Sequence, residues 1–154
     1  MNRKIKNATP LEYDGIKFKS KLEVTTYKTF KENNFEVLYE PTKYIIWKGF
    51  KPTENIHYTR NKKTGELVSD HKKLIDITYT PDFGFKYNAY NIIIECKGAW
   101  NEVFPYKRKL FKAYIENWNK ENPDNKILYF EVYSKRNVLQ AIEIIKSYDS
   151  VRQN

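Results

Sequence analysis

The chain has 154 residues, 28 Lys and Arg against 19 Asp and Glu, and a formal net charge of +9. That length fits one domain around one core, and 40% apolar with 16% aromatic content excludes a disordered chain despite the charge. No apolar run approaches the ~20 residues of a membrane span; the single cysteine, Cys96, excludes an intramolecular disulfide and a multi-cysteine zinc site; the basic N-terminus lacks the apolar stretch of a secretory signal. The expectation is a cytoplasmic domain with an anionic partner, nucleic acid first. Of the cations, 23 are Lys and 5 are Arg, which suits sequence-blind phosphate contact better than base readout. A plain Lys-rich solubilising surface explains the same numbers.

In chain order, residues 1–12 read as basic and irregular, with Arg3, Lys4 and Lys6. Asp14-Gly15 is a turn leading into a short strand to Lys19. Ser20-Lys21-Leu22-Glu23 opens a helix to about Asn33, with Leu22, Thr26, Tyr27 and Phe30 at helical spacing on its inner face. Phe35, Val37 and Tyr39 alternate with Glu36, Leu38 and Glu40 as a strand that Pro41 stops, and 44–47 is a second. Residues 48–73 are polar and predict an insertion with a small hairpin, 57–60 against 66–69, because a structureless loop of that length is unusual. Two adjacent strands, 74–85 and 90–97, follow. Then come a helix over 103–118 with Phe104, Phe111, Ile115 and Trp118 inward, a strand over 127–133, and a last helix over 138–148 with Leu139, Ile142 and Ile145 inward. The order predicts an α/β domain, a central mixed sheet flanked by helices.

Chemistry concentrates in Tyr79-Thr80-Pro81-Asp82 and Ile92-Ile93-Ile94-Glu95-Cys96-Lys97. Strand alternation puts Glu95 and Lys97 on one face, about 7 Å apart, and Ile92, Ile94 and Cys96 on the other. Asp82 should sit near the end of the neighbouring strand, opposite in facing to Tyr79, Pro81, Phe83 and Phe85. Two carboxylates and a lysine can then converge. Such a set can hold Mg²⁺ through Asp82, Glu95 and the Cys96 backbone carbonyl, with Lys97 orienting or deprotonating a water or stabilising charge on a phosphate.

Pro81-Asp82 with Glu95-Cys96-Lys97 resembles the signature of the PD-(D/E)XK nucleases. Gly15-Ile16-Lys17-Phe18-Lys19-Ser20-Lys21-Leu22-Glu23 is similar to the "G-x-x-F-x-S-x-x-E" run of phage-borne members, and the helix at Tyr106-Lys107-Arg108-Lys109 also looks like that group. The resemblance spans about residues 13–118. It implies a restriction-endonuclease-like core and a Mg²⁺-dependent DNA endonuclease, with Mn²⁺ as a substitute and Glu23, Asp82, Glu95 and Lys97 as catalytic residues. Small phage members resemble endonuclease I and the Holliday-junction resolvases, homodimers that act on branched DNA in the host cell. Lys17, Lys19, Lys21, Trp100, Lys107, Arg108, Lys109 and Lys112 are the candidate DNA contacts.

Plainer readings stand beside these. Ser20-x-x-Glu23 is a capping box in which Glu23 returns to the Ser20 amide; yet Glu23 shares a stripe with Tyr27 and Phe30, where an unpaired carboxylate is costly. Asp76 reads as structural or surface, and Glu40 as a plain strand end before Pro41, with support of the site as its alternative. His57 and His71 lack ligand spacing and read as solvated loop residues. Cys96 reads as a buried structural thiol. The 107–112 cations could be a solvated helix face, and Trp100 could stack on a base or cap the core. Two rival functions remain: a non-catalytic basic nucleic-acid-binding module, and a restriction- or repair-type nuclease on linear duplex.

Overall fold

The computed structural model describes residues 10–150; Arg3, Lys4 and Lys6 lie outside the described residues. Leu11–Tyr13 (β1) pairs antiparallel with Ile16–Phe18 (β2), so Leu11 and Glu12 are strand rather than irregular. Asp14 and Gly15 both have positive φ, +56° and +75°, the geometry of a tight two-residue hairpin turn. Lys21–Glu32 (α1) follows. Ser20 caps it, its Oγ accepting from the Glu23 N–H at 3.2 Å, and Asn34 leaves the helix in the left-handed region.

Next come Leu38–Tyr39 (β3), Tyr44–Trp47 (β4), Tyr58–Arg60 (β5), Leu67–Ser69 (β6), Ile77–Tyr79 (β7), Phe83–Tyr87 (β8) and Tyr90–Cys96 (β9). Phe104–Glu121 (α2), Lys126–Val132 (β10) and Lys135–Ser150 (α3) complete the chain. The central sheet is mixed, in the order β10-β9-β8-β3, with β9 and β10 parallel and the other pairs antiparallel. This is the α/β architecture that the element order predicts.

The sheet separates two cores. Ile92, Ile94 and Cys96 face α1 and α3 with Phe18, Phe30, Phe83 and Ile145. Ile93 faces α2 with Tyr79, Phe104, Phe111 and Ile127. Because both faces of β9 are covered, its isoleucines need not alternate with polar residues. Phe111 anchors the second core, with the rings of Tyr44, Tyr79, Tyr114 and Tyr129 at 5.2, 4.7, 6.0 and 5.3 Å.

Three expectations need correction. The segment 74–85 is not one strand. β7 pairs with β4 in a separate two-stranded sheet, and the chain breaks at Thr80–Asp82 before β8 joins the main sheet. Pro81, which offers no N–H, sits in that break. Tyr79 therefore packs on the α2 side while Phe83 and Phe85 pack on the α1 side, not all on one face. In α3, Val138, Ala141, Ile142 and Ile145 form the inner stripe, and Leu139 is exposed one helical step round. From Phe35 to Glu40 the alternation holds, with Phe35 and Val37 buried, but only Leu38 and Tyr39 pair with β8.

The 48–73 segment carries the expected hairpin, β5 against β6, in the register Tyr58↔Ser69, Thr59↔Val68 and Arg60↔Leu67. Its base is tied down. The Gly49 N–H donates to Asp76 Oδ1 at 2.9 Å, and the Leu74 N–H to the Phe50 carbonyl at 2.8 Å. His71 is a clip rather than a solvated residue, with Nδ1 3.2 Å from the Pro52 carbonyl and Nε2 2.8 Å from Asn55 Oδ1. His57 is exposed. No helix among the described residues is long and apolar enough to cross a membrane.

Candidate active site

β9 delivers Glu95 and Cys96 to its carboxyl end, and Lys97 follows as its amide donates to the Val132 carbonyl of β10 at 2.9 Å. In the β8–β9 register Phe83 lies opposite Ile94, so Asp82 falls beside Glu95 and Cys96. The Cys96 N–H donates to Asp82 Oδ2 at 2.7 Å, which ties the two sequence motifs together directly. The Glu40 N–H donates to the Asp82 carbonyl at 2.7 Å and fixes the backbone from the other side.

Glu95 is 4% exposed. Its Oε1 meets Lys97 Nζ at 2.8 Å, while Oε2 is buried with no hydrogen-bond partner among the described residues. An unpaired carboxylate oxygen in low dielectric is costly. Lys97 is held from the other side by the Phe104 ring, its Nζ 3.7 Å from the centroid. Asp82 lies within the field of Glu95. Burial first, then the Glu95 charge, raise its pKa well above the carboxylate range, with Glu23 adding to the rise and the Cys96 N–H and Lys97 opposing it. Burial, then the Glu95 charge, also push the Tyr79 phenol upward.

Glu23 stands next to this pair but is fully engaged. Its Oε2 accepts from the Lys19 N–H at 2.9 Å and the Tyr39 hydroxyl at 2.8 Å, and its Oε1 from the Ser20 hydroxyl at 2.9 Å. The return bond of the cap thus goes to the Lys19 amide, not to Ser20. Three donors explain how a carboxylate 5% exposed persists there. No group of three or more His, Cys, Asp or Glu is arranged to hold a metal among the described residues. Two carboxylates, Asp82 and Glu95, are the available acidic ligands. Cys96 Sγ points away, donating to Thr26 Oγ1 at 3.2 Å, and burial raises its pKa, so its thiol is structural.

A cavity of about 340 Å³ opens over Glu95 and Lys97, lined also by Lys19, Glu40, Thr78 and Lys107 among others; Asp82 is not part of its lining. A larger cavity of about 560 Å³, at Tyr44, Tyr114 and Trp118, also touches Asn91 and Ile127, at the opposite, amino ends of β9 and β10. Ligands of open α/β sheets bind outside the carboxyl strand ends, which favours the smaller, polar one.

The candidate DNA contacts divide. Lys17, Lys21 and Lys109 are exposed. Lys19 pairs with Glu40 at the cavity rim, and Lys107 lines the same cavity. Arg108 does not face solvent freely: its Nε reaches both oxygens of Glu131, at 2.7 and 2.9 Å, and Lys112 Nζ approaches the same carboxylate at 3.5 Å. Trp100 is 47% exposed, edge-on to Phe104 at 5.2 Å and near the Arg108 guanidinium at 5.4 Å. Sequence reasoning missed Glu131, although β10 pairs it in register with Glu95. It also undervalued Glu40, which belongs to the site's rim. Of the two roles expected for Asp76, structural or surface, the structure gives the first: it binds Gly49 and Lys48.

Comparison with curated proteins and with solved structures finds no match. A family model described as a protein of unknown function (DUF1064) matches residues 3–132, a stretch that includes α1, the whole carboxylate site and the hairpin. The chain belongs to the DUF1064 family.

Proposed function

We propose that the chain is a metal-dependent DNA endonuclease working through Asp82, Glu95 and Lys97. The observation that carries this is half-buried Asp82 beside buried Glu95, with one oxygen, Glu95 Oε2, left without a partner among the described residues in a protein of net charge +9. Two carboxylates this close repel each other and any phosphate unless a cation lies between them. The donor set is all oxygen, which fits Mg²⁺ with Mn²⁺ as a substitute. Asp82 and Glu95 would hold the ion, with the Cys96 carbonyl as a third oxygen. Glu23, engaged by three donors, supports Asp82's surroundings from behind. When bound, the ion polarises the phosphate and lowers the pKa of the attacking water.

The chain's own residues do the rest. Lys97, fixed between Glu95 Oε1 and the Phe104 face, orients the water and balances charge developing on the phosphate. Lys19 and Lys107 hold flanking phosphates at the cavity rim. Few Arg residues leave little base readout, so DNA shape, as in branched junctions, is the better substrate, and a homodimer acting in the cytoplasm suits paired cuts. The test is incubation of labelled four-way junction, forked, single-stranded and linear DNA with Mg²⁺, Mn²⁺ or EDTA. Metal-dependent cleavage, strongest on the junction, is expected. Inertness on every DNA with both metals overturns the reading. A non-catalytic binding module is the second reading, favoured by the lack of a third free acidic ligand among the described residues; such a module would bind equally well in EDTA and cut nothing.

A further inference from the structure

The +9 charge is held only in part where the sequence suggests. Of the helix cations, Arg108 and Lys112 share the one carboxylate of Glu131, and at the site Lys19 and Lys97 are paired with Glu40 and Glu95. Residues 48–73 carry seven cations against three acids. Only Lys48 among those seven is in an ion pair among the described residues, with Asp76. Residues 53–60 and 62–69 are exposed throughout, so neither face of the β5–β6 ribbon is covered by the rest of the chain. An isolated two-stranded ribbon has little packing of its own. This one is anchored instead at its base by the Gly49–Asp76, Leu74–Phe50 and His71 contacts, and it projects about 17 Å from residue 57 to its tip.

We infer that this hairpin is a DNA-binding arm that enters the major groove of duplex DNA beside the cleavage site, an inference that rests on the DNA reading above. The B-form major groove admits a two-stranded ribbon, whereas the A-form groove is too narrow. The tip places Arg60, Lys62 and Lys63 together, held by Asn61 Oδ1, which accepts from the Lys63 N–H at 2.9 Å and the Thr64 N–H at 3.3 Å. Register puts Tyr58, Arg60 and Leu67 on one face, so a cation is flanked by apolar side chains able to meet sugars and thymine methyls. Charge argues against a second copy as occupant, since two such arms would face each other with their uncompensated cations.

The test measures binding in EDTA, where no cleavage occurs, by the full chain, by R60S/K62S/K63S and by K86S/K120S/K126S, a control with the same loss of charge at exposed positions elsewhere. The expected result is a fall of about 50- to 100-fold in duplex-DNA affinity at 0.2 M salt for the arm variant, with a log–log salt slope shallower by about 2–3. The control and double-stranded RNA should show neither change. Equal losses in arm variant and control overturn the inference and leave the nuclease reading standing. So does an arm variant that becomes monomeric by sedimentation with unchanged DNA affinity, which would make the ribbon a self-association element. Failure of the unmodified chain to bind any DNA overturns both readings.

Discussion

Asp82→Asn should make the metal-free protein more stable near neutral pH, although it alters a site residue. The amide oxygen still accepts the Cys96 N–H that Asp82 Oδ2 accepts at 2.7 Å, so the backbone tie survives. What disappears is a carboxyl whose pKa is raised above its ordinary 3.8, by burial and then by Glu95. A folded pKa above the unfolded one means that the folded state binds the proton more tightly. The stabilisation is full below the unfolded value and is lost as pH rises through the folded value. Each pH unit in that window removes about 1.4 kcal/mol. Between about pH 4 and about pH 6 the wild type should lose roughly 2–3 kcal/mol relative to Asp82→Asn, or about 5–10 °C in Tm for a chain of this size. Urea unfolding of both proteins across pH in EDTA measures the difference directly. Mg²⁺ at about a hundredfold over its Kd should then return some 2.7 kcal/mol to the wild type and little to the variant. Parallel stability–pH curves, or a variant less stable than wild type at pH 8, would refute the repulsion argument.

Other substitutions probe the supports. Ser20→Ala removes the cap of α1 and one of the three donors to Glu23; a loss of about 1 kcal/mol or somewhat more in urea unfolding is expected. Gly49→Ala would place a Cβ 2.1 Å from the Leu74 carbonyl oxygen, so the base of the hairpin must shift, at about 1–3 kcal/mol, with faster proteolysis of 48–73 as a second readout. Phe111→Ala, which empties the centre of the α2 core, should cost about 3–5 kcal/mol in the same measurement.

The elements of the fold were legible where their signals were local. Asp14-Gly15, the Ser20 cap, the polar gap before β5 and the isoleucine run of β9 each carry their own chemistry, and each element lies where those signals put it. The break between β7 and β8 was not legible, because odd-numbered aromatics on both sides of Pro81 imitate one continuous strand. The convergence of Asp82 with Glu95 could be read from alternation and the hairpin between them. The engagement of Glu23 by Tyr39, and of Arg108 by Glu131, could not, because both depend on how distant elements stack. Glu40 was hidden for a related reason. It has φ +46°, unlike the ordinary strand end that its sequence suggests, and that turn carries it to the rim beside Lys19.

The central claim, that Asp82 and Glu95 carry metal-dependent hydrolysis, is tested most directly by comparing wild type, Asp82→Ala and Glu95→Ala on one labelled four-way junction in Mg²⁺, with binding measured in parallel. Cleavage by the wild type alone, with comparable binding by all three, is the expected result. Undiminished Mg²⁺-dependent cleavage by both variants would contradict it.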